Sequence, residues 1–216
     1  MYLAMKEKLL EIINKRFPYS NTDINEWQKV LENCNSIPSC NYLLSMVDYY
    51  VAYNKDRSAI NLSIVLYQDK EALGIMPLFA HQNQEEEWIL SSNGIEIVEP
   101  IFKKTVARRV KKRFENELKD LIYDLARQLE IKQCQFVNSD FFALSRWYFI
   151  WAERAKETFS THHFLVDLSL SLQDIRLKFR KSFKPFINKG LREWTVEVHE
   201  QTTDELFEKF RLLHKS

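Results

Sequence analysis

The stretch of sequence best equipped for chemistry runs from residue 172 to 189. It carries Arg176, Lys178, Arg180, Lys181, Lys184 and Lys189 against one acid, Asp174. Read as a single helix, it places Arg180 and Lys184 four apart and Lys181 and Lys184 three apart, so they neighbour one another on one face. Such a cluster suits a phosphate or diphosphate, with the arginine offering a bidentate fork and the lysines point charges. Arg180 is the first candidate and Lys184 the second, with Lys181 beside them. The competing use of the same helix is a solvated cationic face, with Phe179, Phe183 and Ile187 turned inward.

A second basic run lies at 103–113, where Lys103, Lys104, Arg108, Arg109, Lys111, Lys112 and Arg113 make seven of eleven residues cationic. RNA phosphates are the ligand such a run would take. Glu115, Glu117, Asp120 and Asp124 follow at helical spacing and neutralise part of it, and no aromatic residues interleave for base stacking. The reading it favours is a solvated helix end.

The remaining reactive residues are dispersed. His162 and His163 are adjacent, so in a strand they face opposite ways and do not chelate one ion. His81, His199 and His214 stand alone, and Asp167 reads as a turn or helix cap. Cys34, Cys40 and Cys134 form an odd, sparse set without zinc-ligand spacing. They predict small apolar residues in a reducing compartment rather than a disulfide scaffold or a metal site. No Ser-His-Asp ordering or nucleophile elbow is present, so no catalytic residue is identified and covalent nucleophilic catalysis is not expected.

Composition narrows the classes further. The chain has 216 residues, 45% hydrophobic and 28% charged, which is globular composition in one large or two small domains. Its 31 Lys and Arg balance 30 Asp and Glu, unlike a globally basic nucleic-acid binder. Only three glycines occur, Gly74, Gly94 and Gly190, where average usage of about 7% gives roughly fifteen. A Walker loop or Rossmann turn needs clustered glycines to bring backbone N–H groups to phosphate, and neither can be written here. Charges interrupt the apolar stretch near the N-terminus, and no apolar run reaches about 18 residues, so a cytoplasmic chain with no membrane span is expected.

The elements that must position these residues follow from periodicity. Helices are predicted over 3–17, from a cap at 21–23 through Leu31, and over 42–53, with a loop at Ser36, Pro38 and Ser39 between the last two. A hairpin pairs 61–67 with 72–80, Pro77 marking an edge or bulge. Short strands follow at 87–91 and 95–98. The longest helical pattern spans 104–130, with Val106, Val110, Phe114, Leu118, Leu121, Ile122, Leu125 and Leu129 as its buried stripe. A strand at 132–137 and a helix at 141–157 close a first block. The second block reads as strand 163–168, a helix over 172–188 capped by Ser169 or Ser171, Gly190 as its C-terminal stop, strand 194–199, and a helix from Asp204 capped by Thr203. The layout is mixed α/β, of the α+β kind, divided as 1–159 and 160–216. Two strands are marginal as an independent sheet.

The second block resembles the Fem-type (FemAB-like) branch of the GNAT acyltransferases. Asp167-Leu168-Ser169, Arg180-Lys181-Ser182, Lys184, Ile187-Asn188 and Gly190 stand at the matching places. Trp27, the strand Leu73-Gly74-Ile75-Met76-Pro77-Leu78 and Glu99-Pro100 agree with the family's first half. The resemblance implies a first GNAT-like half followed by the start of a second, β-α-β-α, half. It implies acyl or aminoacyl transfer to an amine of a cell-envelope or surface-sugar precursor, with Arg180, Lys181 and Lys184 facing the acceptor. The donor would be acyl-CoA or aminoacyl-tRNA, without a metal. The family's glycine turn for coenzyme pyrophosphate is missing, so the resemblance implies a chain that continues past Ser216 to its donor site. The alternatives are a non-catalytic binding or assembly module on a degenerate GNAT fold, and an RNA-binding module using residues 103–113.

Overall fold

The computed structural model describes residues 2–18, 23–34, 39–138, 144–158, 169–195 and 203–213. The expected loop at Ser36 and Pro38, the strand at 163–168 with His162, His163, Asp167 and Leu168, and most of the strand at 194–199 lie outside them, as do His199 and His214. The fold is mixed, with helices and small, mainly antiparallel sheets, compatible with the α+β class. The chain divides into two compact units, Met1–Ser160 and Thr161–Ser216.

In the first unit, α1 (Tyr2–Arg16) and α4 (Arg108–Gln128) bury facing stripes. Leu9 and Ile13 of α1 join Phe114, Leu118, Leu121, Ile122 and Leu125 of α4 in the larger core. The predicted stripe of α4 is thus the observed one, except that Val110 is only partly buried. An Arg16 Nε to Asp124 Oδ2 bond of 3.0 Å ties the two helices at the rim. Asp23 caps α2 (Ile24–Glu32), accepting from the Asn25 and Glu26 amides at 2.9 and 3.3 Å. Trp27 and Val30 of α2 belong to a second core with Val65, Ala72 and Ile75. The Trp27 indole N–H donates to the Tyr42 carbonyl at 2.8 Å, and the Tyr42 hydroxyl donates to the Glu99 carbonyl at 2.7 Å. Residues 40–42 form a 3-10 turn ahead of α3 (Leu44–Tyr53), so the third helix begins two residues later than its aromatic pattern suggests.

The hairpin is longer than its sequence signal and broken in the middle. β1 (Ile60–Asn61) and β2 (Ile64–Gln68) run against β4 (Phe79–Gln82) and β3 (Glu71–Met76). Ile60 pairs with Ala80 and Ile64 with Met76, so one register runs through both halves. The break falls where Pro77, which has no N–H to give the ladder, stands opposite Ser63. Ser63 Oγ lies 3.2 Å from both the Leu78 carbonyl and the Leu78 amide. Ser92 Oγ, fully buried, donates to the Pro77 carbonyl at 2.5 Å and accepts from the Val98 amide at 3.1 Å. Two serine side chains therefore partner the Leu78 amide and the Pro77 carbonyl beside the proline, while the Leu78 carbonyl also accepts from the Leu62 amide at 2.9 Å. The turn at Asp69-Lys70 has φ of 51° and 69°, the positive pair of a tight hairpin turn, reached here without glycine.

Leu73 is a bulge residue: Leu66 pairs with Gly74 but Tyr67 with Ala72. The freed Leu73 carbonyl accepts from the Lys103 amide at 2.9 Å, beside the pairing of β3 with β7 (Ile101–Phe102). Gly74 is required there, because a Cβ would lie 2.6 Å from Phe102 Cδ1 and 2.9 Å from the Ile101 carbonyl oxygen. β5 (Trp88–Ser91) extends the β1–β4 sheet, and β6 (Glu96–Ile97) pairs in parallel with β8 (Gln135–Phe136). α5 (Arg146–Ala152) buries Trp147 and Trp151 against Phe136, the Phe136 and Trp151 rings stacking at 3.9 Å. Leu144, which its pattern offers to a core, is exposed.

The second unit contains α6 (Leu172–Lys178), α7 (Lys184–Glu193) and α8 (Asp204–Leu213). Ser171 caps α6 by accepting from the Asp174 amide at 3.2 Å, and Thr203 caps α8 at 3.2 Å from the Leu206 amide. The single helix expected over 172–188 is two helices. Phe179 and Arg180 are extended, with ψ of 141° and 145°, and a 3-10 turn at 181–183 leads into α7. Pro185 is the reason. Inside a continuous helix it would lack the N–H owed to the Lys181 carbonyl and would clash with it, whereas in the first turn of a new helix neither matters. Gly190 is likewise not a stop but an interior residue of α7, with the Trp194 ring 3.6 Å from where its Cβ would be. Trp194 and Thr195, the described start of the expected last strand, are not in a strand.

Candidate functional site

The break between α6 and α7 rearranges the cationic cluster. Arg180 is extended and Lys184 opens α7, so the two do not share a helix face as a continuous helix would require. Lys181 sits in the 3-10 turn and Lys184 at the first position of α7. These two line a shallow, solvent-open depression of about 640 Å³ together with Pro185, Asn188, Leu191 and Arg192. Arg180 is not among its lining residues.

The spacing explains the set. Lys184, Asn188 and Arg192 recur every four residues and form one ridge along α7, which Lys181 extends backwards through the 3-10 turn. Asn188 and Arg192 were not among the candidates for this site. Four-residue spacing from Lys184 reaches Asn188 directly and Arg192 only by continuing through Gly190, which reads as a helix terminator. The chemistry is that of an anion site. Three cations supply charge, Arg192 supplies a planar fork of donors, and the Asn188 amide supplies a neutral donor or acceptor. Lys181, Lys184 and Arg192 have no carboxylate partner among the described residues, whereas Lys189, off the ridge, lies 3.7 Å from Glu193. Exposure of every lining side chain limits each contact to the modest strength of a screened surface interaction.

The run at 103–113 is partly spoken for. Lys103 pairs with Glu71 at 3.3 Å, Arg113 lies 3.8 Å from Glu117 and donates to Gln68 at 2.8 Å, and Arg113 also stacks over the Phe114 ring. Lys111 sits over Phe102. Arg108 and Arg109 occupy the first turn of α4, which has no acidic residue and no side-chain cap, against the preference of the helix dipole.

His81 is buried rather than merely isolated, with 3% exposure, and its ring lies 5.3 Å from that of Phe79. Burial, aided by the Arg57 charge, holds its pKa below the ordinary value, and its Nδ1 has no partner. No carboxylate touches it among the described residues, so it is a neutral core imidazole without the orienting acid of a general base. None of the three cysteines forms a disulfide, and burial raises the Cys134 thiol to about 11. Among the described residues no three His, Cys, Asp or Glu side chains gather where they could hold a metal ion, and no helix is long and apolar enough to cross a membrane.

Comparison of the chain with protein-family models, with curated proteins and with solved structures finds no match.

Proposed function

We propose that the chain is an N-acyltransferase or aminoacyltransferase of the Fem-type GNAT group. It transfers an acyl group from a thioester or aminoacyl ester to an amine of a cell-envelope or surface-sugar precursor. The observation that carries this reading is the ridge of Lys181, Lys184, Asn188 and Arg192, which suits the diphosphate of a nucleotide-linked acceptor. The ridge lies within the stretch whose residues resemble that family. In the reaction the acceptor amine nitrogen attacks the acyl carbonyl carbon and a C–N bond forms. The C–S or C–O bond to the donor then breaks, and the thiol or ribose hydroxyl departs with the proton the amine gives up. The protein's part is to hold the two reactants in register, which replaces a bimolecular encounter by a positioned one. Anchoring the diphosphate leaves the amine free to reach the donor.

A second reading has a specific observation in its favour. None of the three glycines makes a phosphate turn. Gly74 is packed under Phe102, Gly94 serves a turn at φ +97°, and Gly190 lies within α7 against Trp194. The acceptor site without a donor site would be a binding or assembly module. The two readings separate in one assay, in which the full chain is incubated with labelled acetyl-CoA or aminoacyl-tRNA and a uridine diphosphate amino sugar. Label appearing on the sugar amine, with the acceptor KM raised in Lys184→Gln/Arg192→Gln and kcat nearly unchanged, supports the transferase. Binding of the sugar nucleotide with no transfer from either donor, both by this chain and by the longer protein that the resemblance implies, refutes it in favour of the module.

A further inference from the structure

The side of α7 turned away from the anion ridge is mainly apolar and exposed, with Glu193 at its edge beside Phe186, paired to Lys189 at 3.7 Å. Phe186 and Leu191 are 71% and 65% exposed, Trp194 just past the helix end is 76% exposed, and Phe183 just before it is 54% exposed. Helical spacing puts Phe186, Ile187 and Gly190 on one side, with Trp194 folded back against Gly190, while Lys184, Asn188, Lys189 and Arg192 occupy the other; Leu191 lies at the border. Upstream, Leu172 and Leu177 of α6 are also exposed. No described side chain from 169 to 195 is buried. Apolar surface gathered in this way marks a contact surface.

The charge around it indicates what that contact is. Residues 172–195 hold seven cations and two carboxylates, a surplus of five positive charges in a chain whose total is +1. Two such faces brought together in a symmetric pair would set these surpluses against each other, which disfavours a second copy as the occupant. Aromatic and leucine side chains on one side of a helix, with lysine and arginine on the other side and at its flanks, are the physical signature of a helix that lies in a bilayer interface. The lysines flanking the apolar side can lay their stems along it and keep their ammonium groups in the headgroup layer. Trp194 has the ring and polar N–H that favour headgroup depth.

We propose that α7 docks on an anionic lipid surface, inserting Phe183, Phe186, Ile187 and Trp194, with the cations off the ridge, Arg176, Lys178, Arg180 and Lys189, drawing it to the membrane. The anion ridge on the far side of the same helix would then stay open to ligands from the aqueous phase.

The test is cosedimentation of the full chain with vesicles of phosphatidylcholine alone and of equimolar phosphatidylcholine and phosphatidylglycerol, across a salt series. Binding to the anionic vesicles that weakens with salt is expected, with little on the neutral ones. Phe186→Ser/Trp194→Ser should lower partitioning roughly tenfold or more. Arg176→Gln/Lys178→Gln/Lys189→Gln, which spares the ridge, should lower it roughly fivefold per cation removed. Tryptophan quenching by brominated acyl chains should be lost in Trp194→Phe while binding persists. Three results would overturn the proposal: no sedimentation with anionic vesicles at low salt, undiminished binding by the Phe186→Ser/Trp194→Ser chain, or self-association of the native chain that this variant abolishes.

Discussion

Replacing Ser92 by alanine tests the account of the broken hairpin. The Ser92 hydroxyl serves two backbone groups at once, accepting from the Val98 amide and donating to the Pro77 carbonyl. Ser92 and Val98 are fully buried, and Pro77 is buried with them. Alanine removes the hydroxyl but leaves both backbone groups where they are, without solvent. Each such orphan costs about 1–3 kcal/mol, so the substitution should cost about 2–6 kcal/mol. Against a total stability of about 5–15 kcal/mol for a domain, that is a large fraction. Urea unfolding followed by tryptophan fluorescence reads it, because Trp27, Trp88, Trp147 and Trp151 all belong to the first unit and a Trp194→Phe background removes the fifth. The midpoint should fall with little change in slope. A loss below about 0.5 kcal/mol would mean that the two groups find other partners, and the role assigned to Ser92 would fall.

Other substitutions follow from local geometry. Gly74→Ala should destabilise by about 1–3 kcal/mol or more, because its Cβ meets a carbonyl oxygen as well as a ring, whereas Gly190→Ala meets only ordinary contact and should raise the helicity and stability of α7 by about 0.5–1 kcal/mol. Circular dichroism and urea melts of the pair check the opposite signs. His81 is held neutral by burial, so the unfolded chain takes up a proton at that site more readily than the folded one. Stability is therefore full above the unfolded histidine's pKa near 6.5 and falls as pH drops below it, by at most about 1.4 kcal/mol per pH unit; His81→Gln should flatten that slope in melts between pH 7 and 5. Exposed Cys40 should react with a thiol reagent quickly, and Cys134, partly buried with its thiol raised to about 11, far more slowly, as mass-resolved alkylation would show.

Long amphipathic patterns were legible because their burial is set by their own period. The stripe from Phe114 to Leu125 on α4 and the Trp27 and Val30 positions of α2 could be read directly. What escaped the sequence was the effect of prolines and glycines inside otherwise periodic segments. Pro77 signals an interruption, but only its partners across the chain, Ser63 and Ser92, show that one register continues through it. Pro185 was visible but outweighed by the period of 172–188. Gly190 was read by its usual role at helix ends, while a contact with Trp194 keeps it inside one. The site changed with these two residues: Lys181 and Lys184 stayed together, Arg180 left, and Asn188 and Arg192 joined. Phe183, expected to point inward, is exposed, because whether an apolar helix side is covered depends on surfaces its own sequence does not contain.

The central claim is that the ridge of Lys181, Lys184, Asn188 and Arg192 binds a diphosphate. Calorimetric titration of the full chain with uridine diphosphate N-acetylglucosamine tests it most directly. The account predicts saturable binding that weakens roughly fivefold for each of Lys184→Gln and Arg192→Gln, about 1 kcal/mol apiece for exposed charge contacts, with a smaller effect of Arg180→Gln. No binding, or equal affinity in the Lys184→Gln/Arg192→Gln chain, would contradict it.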